Sequence, residues 1–175
     1  MEVADSWAMI ESWLMRHAPA EKLANGASST ELDELQDNIW VPIPHDLRSS
    51  LECHNGSGGA EVIPPSFVFW EVGEILAEYG TEPFQRERIY IPIGAMGPNR
   101  LVIDSQSNIL ARYDPHYGFY SRDEKAWCST LSDMLALVAD EISRPSSTLR
   151  FSEDEVWEAT TGHGPCAGFL VWEDV

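Results

Sequence analysis

The chain has 175 residues, 43% of them hydrophobic, which is the size and composition of a globular protein with one core. Its 29 acidic and 11 basic residues give a formal charge of -18, and such a surface repels phosphate backbones and anionic lipids. The charge therefore argues against nucleic-acid and membrane binding and favours a basic partner, although acidity also serves simply to keep a protein soluble.

Targeting signals and disulfide patterns are both weak in this sequence. No run approaches the roughly 20 apolar residues of a membrane span, and the N-terminus is acidic where a signal peptide is basic. Cys53, Cys128 and Cys166 are few and odd in number for a disulfide scaffold. We therefore expect a cytoplasmic protein with reduced thiols.

Two helices are predicted before Pro42. Residues 5–17 place apolar side chains at helical spacing, and the pattern ends at an Ala-Pro step. Ser28 and Glu31 stand three residues apart, as in a capping box, and apolar residues follow on one face. The sequence thus predicts an amphipathic first helix and a capped second helix.

A third helix is predicted from the proline that follows. Pro44 can serve as its first residue, and Leu47 and Leu51 then share its core face. The Asn55-Gly56 step is expected to end this helix, because either residue tolerates the left-handed conformation of a helix end.

The middle of the chain changes from helical spacing to alternation. After a loop over residues 56–66, the aromatic run SFVFW leads into a helical pattern that lasts until Gly80. From Arg88 onward isoleucines alternate with other residues, and the segments 100–104 and 109–113 are joined by the polar turn SQSN. We expect a strand followed by an antiparallel hairpin, and a short strand after it.

The C-terminal part returns to helical spacing. Residues 124–143 predict a long helix, Ser152 and Glu155 suggest a short capped helix, and residues 168–173 suggest a last strand. Helices before and after an antiparallel sheet define an α+β domain, with the helices packed over one face of the sheet. We take residues 1–175 as a single domain.

Patterns for catalysis and metal binding are weak. Cys53 and His54 could join His163 and Cys166 at a zinc ion, but neighbouring helical side chains point about a hundred degrees apart. Cys53 is also expected at a helix C-terminus, where the helix dipole raises a thiol pKa and disfavours a nucleophile. No phosphate-binding glycine motif and no G-x-S-x-G motif is present. We expect no metal, no cofactor and no enzyme activity.

Seven tryptophans are many for this length. Trp7, Trp13 and Trp127 fit apolar helical faces and are expected in the core. Aromatic residues beside acids suit a protein interface, because aromatic rings anchor a partner and charge steers it. Four tryptophans have polar or acidic neighbours, and for each of them an interface role and a core role stay equally open: Trp40, Trp70, Trp157 and Trp172.

Two blocks of sequence then occur in a characteristic order. The first is similar to the signature LP-x-DLR-x-LL-x-x-HNG and comprises Pro44, Asp46, Leu47, Leu51, His54, Asn55 and Gly56. The second contains IPI at residues 91–93 and LVID at 101–104, and LSDMLALVADEI from Leu131 is a weaker third match. With these blocks the chain resembles the SUKH superfamily, which includes yeast cell-wall-synthesis regulators and many bacterial immunity proteins.

The resemblance covers residues 6–142, and we take residues 143–175 as a C-terminal extension of the same domain. Ile43 replaces the usual leucine before the signature proline, and the SQSN turn carries no glycine. The family implies an α+β fold with an antiparallel, strongly bent sheet and no catalytic activity. Its bacterial members are typically encoded beside polymorphic toxins, many of them nucleases, and neutralise them by direct binding.

Charge and resemblance agree, because a nuclease groove is commonly basic and a chain of charge -18 has the sign to occupy it. The leading hypothesis is an immunity protein that blocks a cognate toxin through an acidic and aromatic surface. The alternative is a regulatory scaffold that recruits signalling or cell-envelope proteins, and an enzyme that uses the carboxylates is a third class. The residues expected to bind toxin lysines and arginines are Trp70, Glu71, Glu74, Glu78, Asp104 and Asp114.

Overall fold

A computed structural model describes residues 1–120, 130–144, 149–150 and 156–175. Helices and antiparallel strands both occur along these ranges, so the predicted α+β class is confirmed. The helices are α1 (Val3–His17), α2 (Ser29–Asn38), α3 (His45–Cys53), α4 (Val72–Tyr79) and α5 (Leu131–Ile142). The strands are β1 (Val68–Phe69), β2 (Tyr90–Met96), β3 (Asn99–Asp104), β4 (Ile109–Asp114), β5 (Gly118–Tyr120), β6 (Leu149–Arg150), β7 (Val156–Thr161) and β8 (Leu170–Asp174).

The first two helices form where their local signals predict them. In α1, Trp7, Ile10 and Leu14 recur on one face and are buried against α3 and α5. In α2, the Ser28 hydroxyl accepts from the Glu31 N–H at 3.3 Å, and Glu31 Oε2 accepts from the Ser28 N–H at 2.8 Å. This reciprocal capping box confirms the predicted start of the second helix.

The end of α3 differs from the prediction. Pro44 is the N-cap rather than the first helical residue, and the helix ends at Cys53, because His54 takes an extended conformation with φ of -141°. That conformation brings the His54 ring edge-on to Trp7, with 5.0 Å between ring centroids, and its Nδ1 hydrogen-bonds the Ala24 carbonyl at 2.7 Å. The left-handed residue is Gly56, with φ of +85°, beyond the helix end. The expectation that Asn55-Gly56 ends the helix was therefore wrong.

The last helix starts later than its apolar spacing predicts. The helix α5 begins at Leu131, because Thr130 is extended and its hydroxyl accepts a capping hydrogen bond from the Asp133 N–H at 3.1 Å. The predicted start near Glu124 was wrong, and Trp127 lies outside the described residues. The Thr130 cap thus sets the first residue of α5, although apolar residues at helical spacing also occur before it.

The predicted strand and hairpin belong to a five-stranded antiparallel sheet with strand order β1-β2-β3-β4-β5. The β3–β4 turn closes without glycine, because Asn108 adopts the left-handed conformation with φ of 58°. The Asp104 carboxylate supports the same turn by accepting from the Gln106 N–H at 2.9 Å.

This sheet is strongly bent, as the resemblance implies. The rings of Tyr90 on β2 and Phe119 on β5 stack with centroids 4.3 Å apart, although β3 and β4 lie between their strands. In a flat sheet, three strand spacings would hold these two strands about 14 Å apart. The sheet must curl to bring the rings together, and Phe84 and Tyr113 complete the aromatic cluster on this face.

A second, three-stranded sheet with order β6-β7-β8 was not predicted. The last strand was expected, but residues 156–161 form a strand, so the suggested capped helix does not extend past 155, and residues 151–155 lie outside the described ranges. Leu170 and Trp172 of β8 enter the same core as the helices, and Trp172 Nε1 donates to the Glu61 carbonyl at 2.8 Å. The C-terminal extension therefore shares the core of the motif-bearing part.

The contact of β8 with the α1–α2 loop gives one prediction. Burial raises the pKa of Glu21, and the charge of Glu61 raises it further, against a lowering by the hydrogen bond from the Leu170 N–H. A raised pKa means that the ionised carboxylate disfavours the fold, so the stabilisation by the neutral form is lost as pH rises through the folded pKa. Glu21→Gln keeps an acceptor without the charge. We expect it to raise the free energy of unfolding near neutral pH, because the partly buried charge is removed. The gain should be no more than about 0.5 kcal/mol, because solvent screens a partly exposed group.

Thermal unfolding of this variant and of a control, Glu34→Gln at an exposed position of α2, measures the effect. The gain from Glu21→Gln should shrink as pH falls toward the ordinary glutamate value of 4.5, while the control stays unchanged. A Glu21→Gln variant no more stable than the native chain near neutral pH contradicts this interpretation.

Within the described ranges, no helix combines the length and the apolar character needed to cross a membrane.

Candidate partner-binding surface

The signature turn after α3 joins the starts of two other helices. Asn55 Nδ2 donates to Glu31 Oε1 at 3.0 Å in the first turn of α2, and Asn55 Oδ1 accepts from the N–H of Val72, the first residue of α4, at 2.9 Å. Hydrogen bonds from Ser28, with a smaller contribution from Asn55, also hold the pKa of Glu31 below its ordinary value. One amide side chain therefore sets α2 and α4 side by side.

Gly56 allows the chain to pass close to the start of α4. A Cβ built on it would lie 2.8 Å from the Glu71 nitrogen and 3.0 Å from the Trp70 carbonyl carbon. No side chain fits such a distance to backbone atoms, and the φ of +85° favours glycine as well. The Asn55-Gly56 pair is thus a structural support for the segment that carries Trp70 and Glu71.

The other signature residues also have structural roles, in the core or in contacts between helices. Leu47 and Leu51 are fully buried, and Pro44 occupies the N-cap position of α3. Asp46 is 7% exposed, and its Oδ2 accepts from the Ser132 N–H of α5 at 3.3 Å and lies 3.5 Å from the Asn108 amide of the hairpin turn. Asp46 therefore connects α3 to α5 and to the sheet.

Three of the acids chosen from sequence follow one another along α4. Glu71 and Glu74 are exposed, and Glu74 Oε2 accepts from the Glu71 N–H at 3.1 Å, which caps the helix. Glu78 is half-buried and forms an ion pair with Arg100 of β3 at 2.7 Å. Glu71 and Glu74 therefore present charge to solvent, while the charge of Glu78 is largely balanced inside the molecule.

Trp70 lies in the short segment between β1 and α4, next to Glu71. It is half-buried, and the Arg100 guanidinium carbon lies 5.4 Å from its ring centroid, within the range of a cation–π contact. Trp70, Glu71 and Glu74 line a groove of about 290 Å³ together with Gly58 and Gly59 of the glycine turn. An aromatic ring and two carboxylates beside a groove are chemically suited to receive a basic side chain.

The two hairpin acids do not form one patch. Asp104 pairs with Ile109 across the hairpin, and Asp114 lies five residues further along β4, a span of about 17 Å. Each carboxylate also accepts backbone N–H groups of its own turn, with Asp114 Oδ1 2.7 Å from the His116 nitrogen. Asp114 follows Tyr113, which pairs with Arg100, the ion-pair partner of Glu78. Asp114 therefore lies at the end of the hairpin nearer to Glu78, and Asp104 lies at the opposite end.

The sequence reasoning missed the contribution of α2. This helix packs against α4 and carries Asp33, Glu34 and Asp37 as exposed residues. Its sequence STELDELQDN already showed an acidic face opposite its two leucines, but the proximity to α4 depends on the long-range hydrogen bonds of Asn55. We call the exposed side of these two helices the α2–α4 face.

The tryptophans separate clearly in the structure. Trp7 and Trp172 are core residues, with Trp7 Nε1 donating to the Ser50 hydroxyl at 2.8 Å. Trp13, Trp70 and Trp157 are half-buried. Trp40 is 70% exposed at the end of the α2–α4 face. Of the four tryptophans left open by the sequence, Trp172 is therefore a core residue and Trp40 is a surface residue.

Two of the residues considered for a zinc ion, Cys53 and His54, lie at the end of α3. His54 is 8% exposed with its Nδ1 bound to the Ala24 carbonyl, and burial, followed by the Glu52 charge, raises the pKa of the neighbouring Cys53 thiol. Among the residues that the structure describes, no three His, Cys, Asp or Glu side chains come together as metal ligands would.

Comparison with known proteins gives one partial relative. A glucan synthesis regulatory protein of Neurospora crassa is 34% identical over 71 residues, which is 38% of this chain and 13% of that protein. The chain thus matches only a small part of the fungal protein's length. No protein-family model matches the chain.

Proposed function

We propose that the chain is a member of the SUKH superfamily and a non-enzymatic, cytoplasmic binding protein that neutralises a cognate toxin, often a nuclease, through its acidic surface. The observation that carries the proposal is the α2–α4 face, where exposed carboxylates of two helices are held on a frame built by the signature residues. The partial fungal relative supports the superfamily.

The electrostatics of the face suit a basic partner. The face has four exposed acids, Glu34, Asp37, Glu71 and Glu74. The formal charge of the whole chain is -18. Such a surface accelerates encounter with a basic protein and repels nucleic acid, so it competes for a nucleic-acid groove instead of binding nucleic acid itself. The carboxylates take the place of backbone phosphates at the toxin's lysines and arginines.

The second candidate function is regulatory, and one observation favours it. The partial relative carries the name of a glucan synthesis regulatory protein. In this alternative the same face recruits signalling or cell-envelope proteins and inhibits nothing.

Purification with the product of the adjacent gene, followed by an inhibition assay on that product, distinguishes the two functions. For a toxin-neutralising protein we expect stable co-purification and loss of the toxin's activity at equimolar amounts. Binding without inhibition supports the regulatory function, and failure of a neighbouring toxin to bind contradicts the proposal.

A further inference from the structure

Trp40 presents a large aromatic ring on the surface. It lies two residues after the end of α2 and is 70% exposed, whereas Ile39 between them is buried in the core. A large aromatic ring in solvent contributes little to folding. Exposed tryptophans that are held in place are, however, typical anchors of protein interfaces.

The backbone around Trp40 is held from both sides. The buried Tyr79 of α4 donates its hydroxyl to the Arg88 carbonyl at 2.8 Å, and its phenolic oxygen lies close to the backbone of Trp40. On the other side, Gln36 donates to the Val41 carbonyl at 3.3 Å and accepts from the Ile43 N–H at 3.1 Å. The exposed ring is thus attached to a fixed backbone.

The ring itself is also held. The Arg88 guanidinium carbon lies 4.0 Å from the Trp40 ring centroid, and Arg88 Nε donates to the Gln85 carbonyl at 3.1 Å. Among the described residues, Arg48, Arg86, Arg100 and Arg144 each form an ion pair with a carboxylate, and Arg88 forms none. Arg88 therefore supports the ring, which lowers the entropy lost when a partner binds it.

Negative charge lies near Trp40, next to the single positive charge of Arg88. Asn55 joins the N-terminal ends of α2 and α4, and Tyr79 lies against Trp40 at their other ends, so the two helices run parallel. Both helix C-termini, each with a partial negative charge, therefore point toward Trp40. Exposed Asp37 in the last turn of α2 adds a full negative charge.

From this geometry we propose that Trp40, supported by Arg88, is the apolar anchor for the basic protein partner, and that the partner lies along the α2–α4 face from Trp40 to Trp70. This inference rests on the proposed function for the sign of the partner. It adds a contact residue and a direction of docking. A second copy of the chain is a poor occupant, because two molecules of charge -18 repel each other.

Two synthetic dodecapeptides test the anchor, one of alternating lysine and leucine and one of alternating lysine and serine. The chain is labelled with fluorotryptophan, and its fluorine resonances are followed during titration at low salt, with the Trp40 resonance assigned by its loss in Trp40→Phe. We expect the lysine–leucine peptide to shift the Trp40 resonance and leave that of Trp7, which is 1% exposed, unchanged.

Substitution gives the matched measurement. Trp40→Ala should weaken binding of the lysine–leucine peptide at least about tenfold, because anchor tryptophans dominate interface energies. It should leave binding of the lysine–serine peptide unchanged, since that peptide binds through charge alone. The control is Tyr117→Ala, which removes an aromatic ring that is 85% exposed on the β4–β5 turn and should change neither affinity.

The outcomes separate this inference from the proposed function. If both peptides bind and Trp40→Ala binds them as tightly as the native chain, the anchor is wrong and the acidic surface stands. If neither peptide binds at low salt, the acidic surface itself is wrong, and the anchor with it. A dimer in sedimentation that Trp40→Ala abolishes assigns the face to self-association and overturns the proposed occupant.

Discussion

Gly56→Ala is expected to lower the free energy of unfolding by about 3 kcal/mol, because the new methyl group meets two unfavourable conditions at once. The residue has a φ of +85°, which costs an alanine about 1 kcal/mol. The Cβ would also lie 2.8 Å from the Glu71 nitrogen, so the start of α4 or the turn itself must move.

Gly59→Ala is the matched control for this substitution. Gly59 has a similar φ of +96°, but a Cβ at this residue would have nothing within 4 Å. It should therefore lose only about 1 kcal/mol. Urea unfolding of both variants isolates the cost of the close approach, and equal losses would contradict the role of Gly56 in positioning α4.

Neutralising Glu71, Glu74 and Glu78 together by glutamine should weaken partner binding about tenfold or more at low salt. Glutamine keeps the size and the hydrogen-bond acceptor of each side chain, and a glutamine at position 74 can still cap α4. The expected loss follows from removing charge at the interface, with most of it arising from the exposed Glu71 and Glu74. The measurement is the affinity for the basic partner at two salt concentrations.

The control variant changes the same number of charges elsewhere. Glu2 and Asp5 at the start of α1 and Glu173 on β8 are exposed, and none of them belongs to α2, α4 or the Asn55 turn that joins these helices. Their replacement by Gln, Asn and Gln alters the net charge equally and should leave affinity within about twofold, since distant charges are screened. Equal losses in the two variants would mean that total charge, and not this face, determines binding.

The parts of the fold that sequence predicts are those specified by local patterns. The capping box of Ser28 and Glu31 acts within one turn, and the alternation from Arg88 onward depends only on the period of a strand. The start of α5 was missed because apolar spacing continued past a threonine cap. The C-terminal sheet was missed because β7 is specified largely by its pairing with β8, a contact between segments that sequence spacing does not show.

The candidate site depends more strongly on contacts distant in sequence. The resemblance located Asn55 and Gly56, but only the structure shows that they join α2 to α4. The choice of Asp104 failed to fit one patch because opposite ends of a hairpin are far apart even when both carry acids. Trp40 was assigned to neither core nor surface, because its acidic and polar neighbours in sequence fit both places; the structure shows it 70% exposed beside the buried Ile39.

The most direct test of toxin neutralisation through the α2–α4 face is a calorimetric titration of the chain with the product of a neighbouring toxin gene, the partner that the proposed function requires. We expect saturable, tight binding that weakens as salt is raised and that falls about tenfold or more in the variant with glutamine at positions 71, 74 and 78. Binding of the native chain and of that variant with the same affinity at low salt would contradict this expectation.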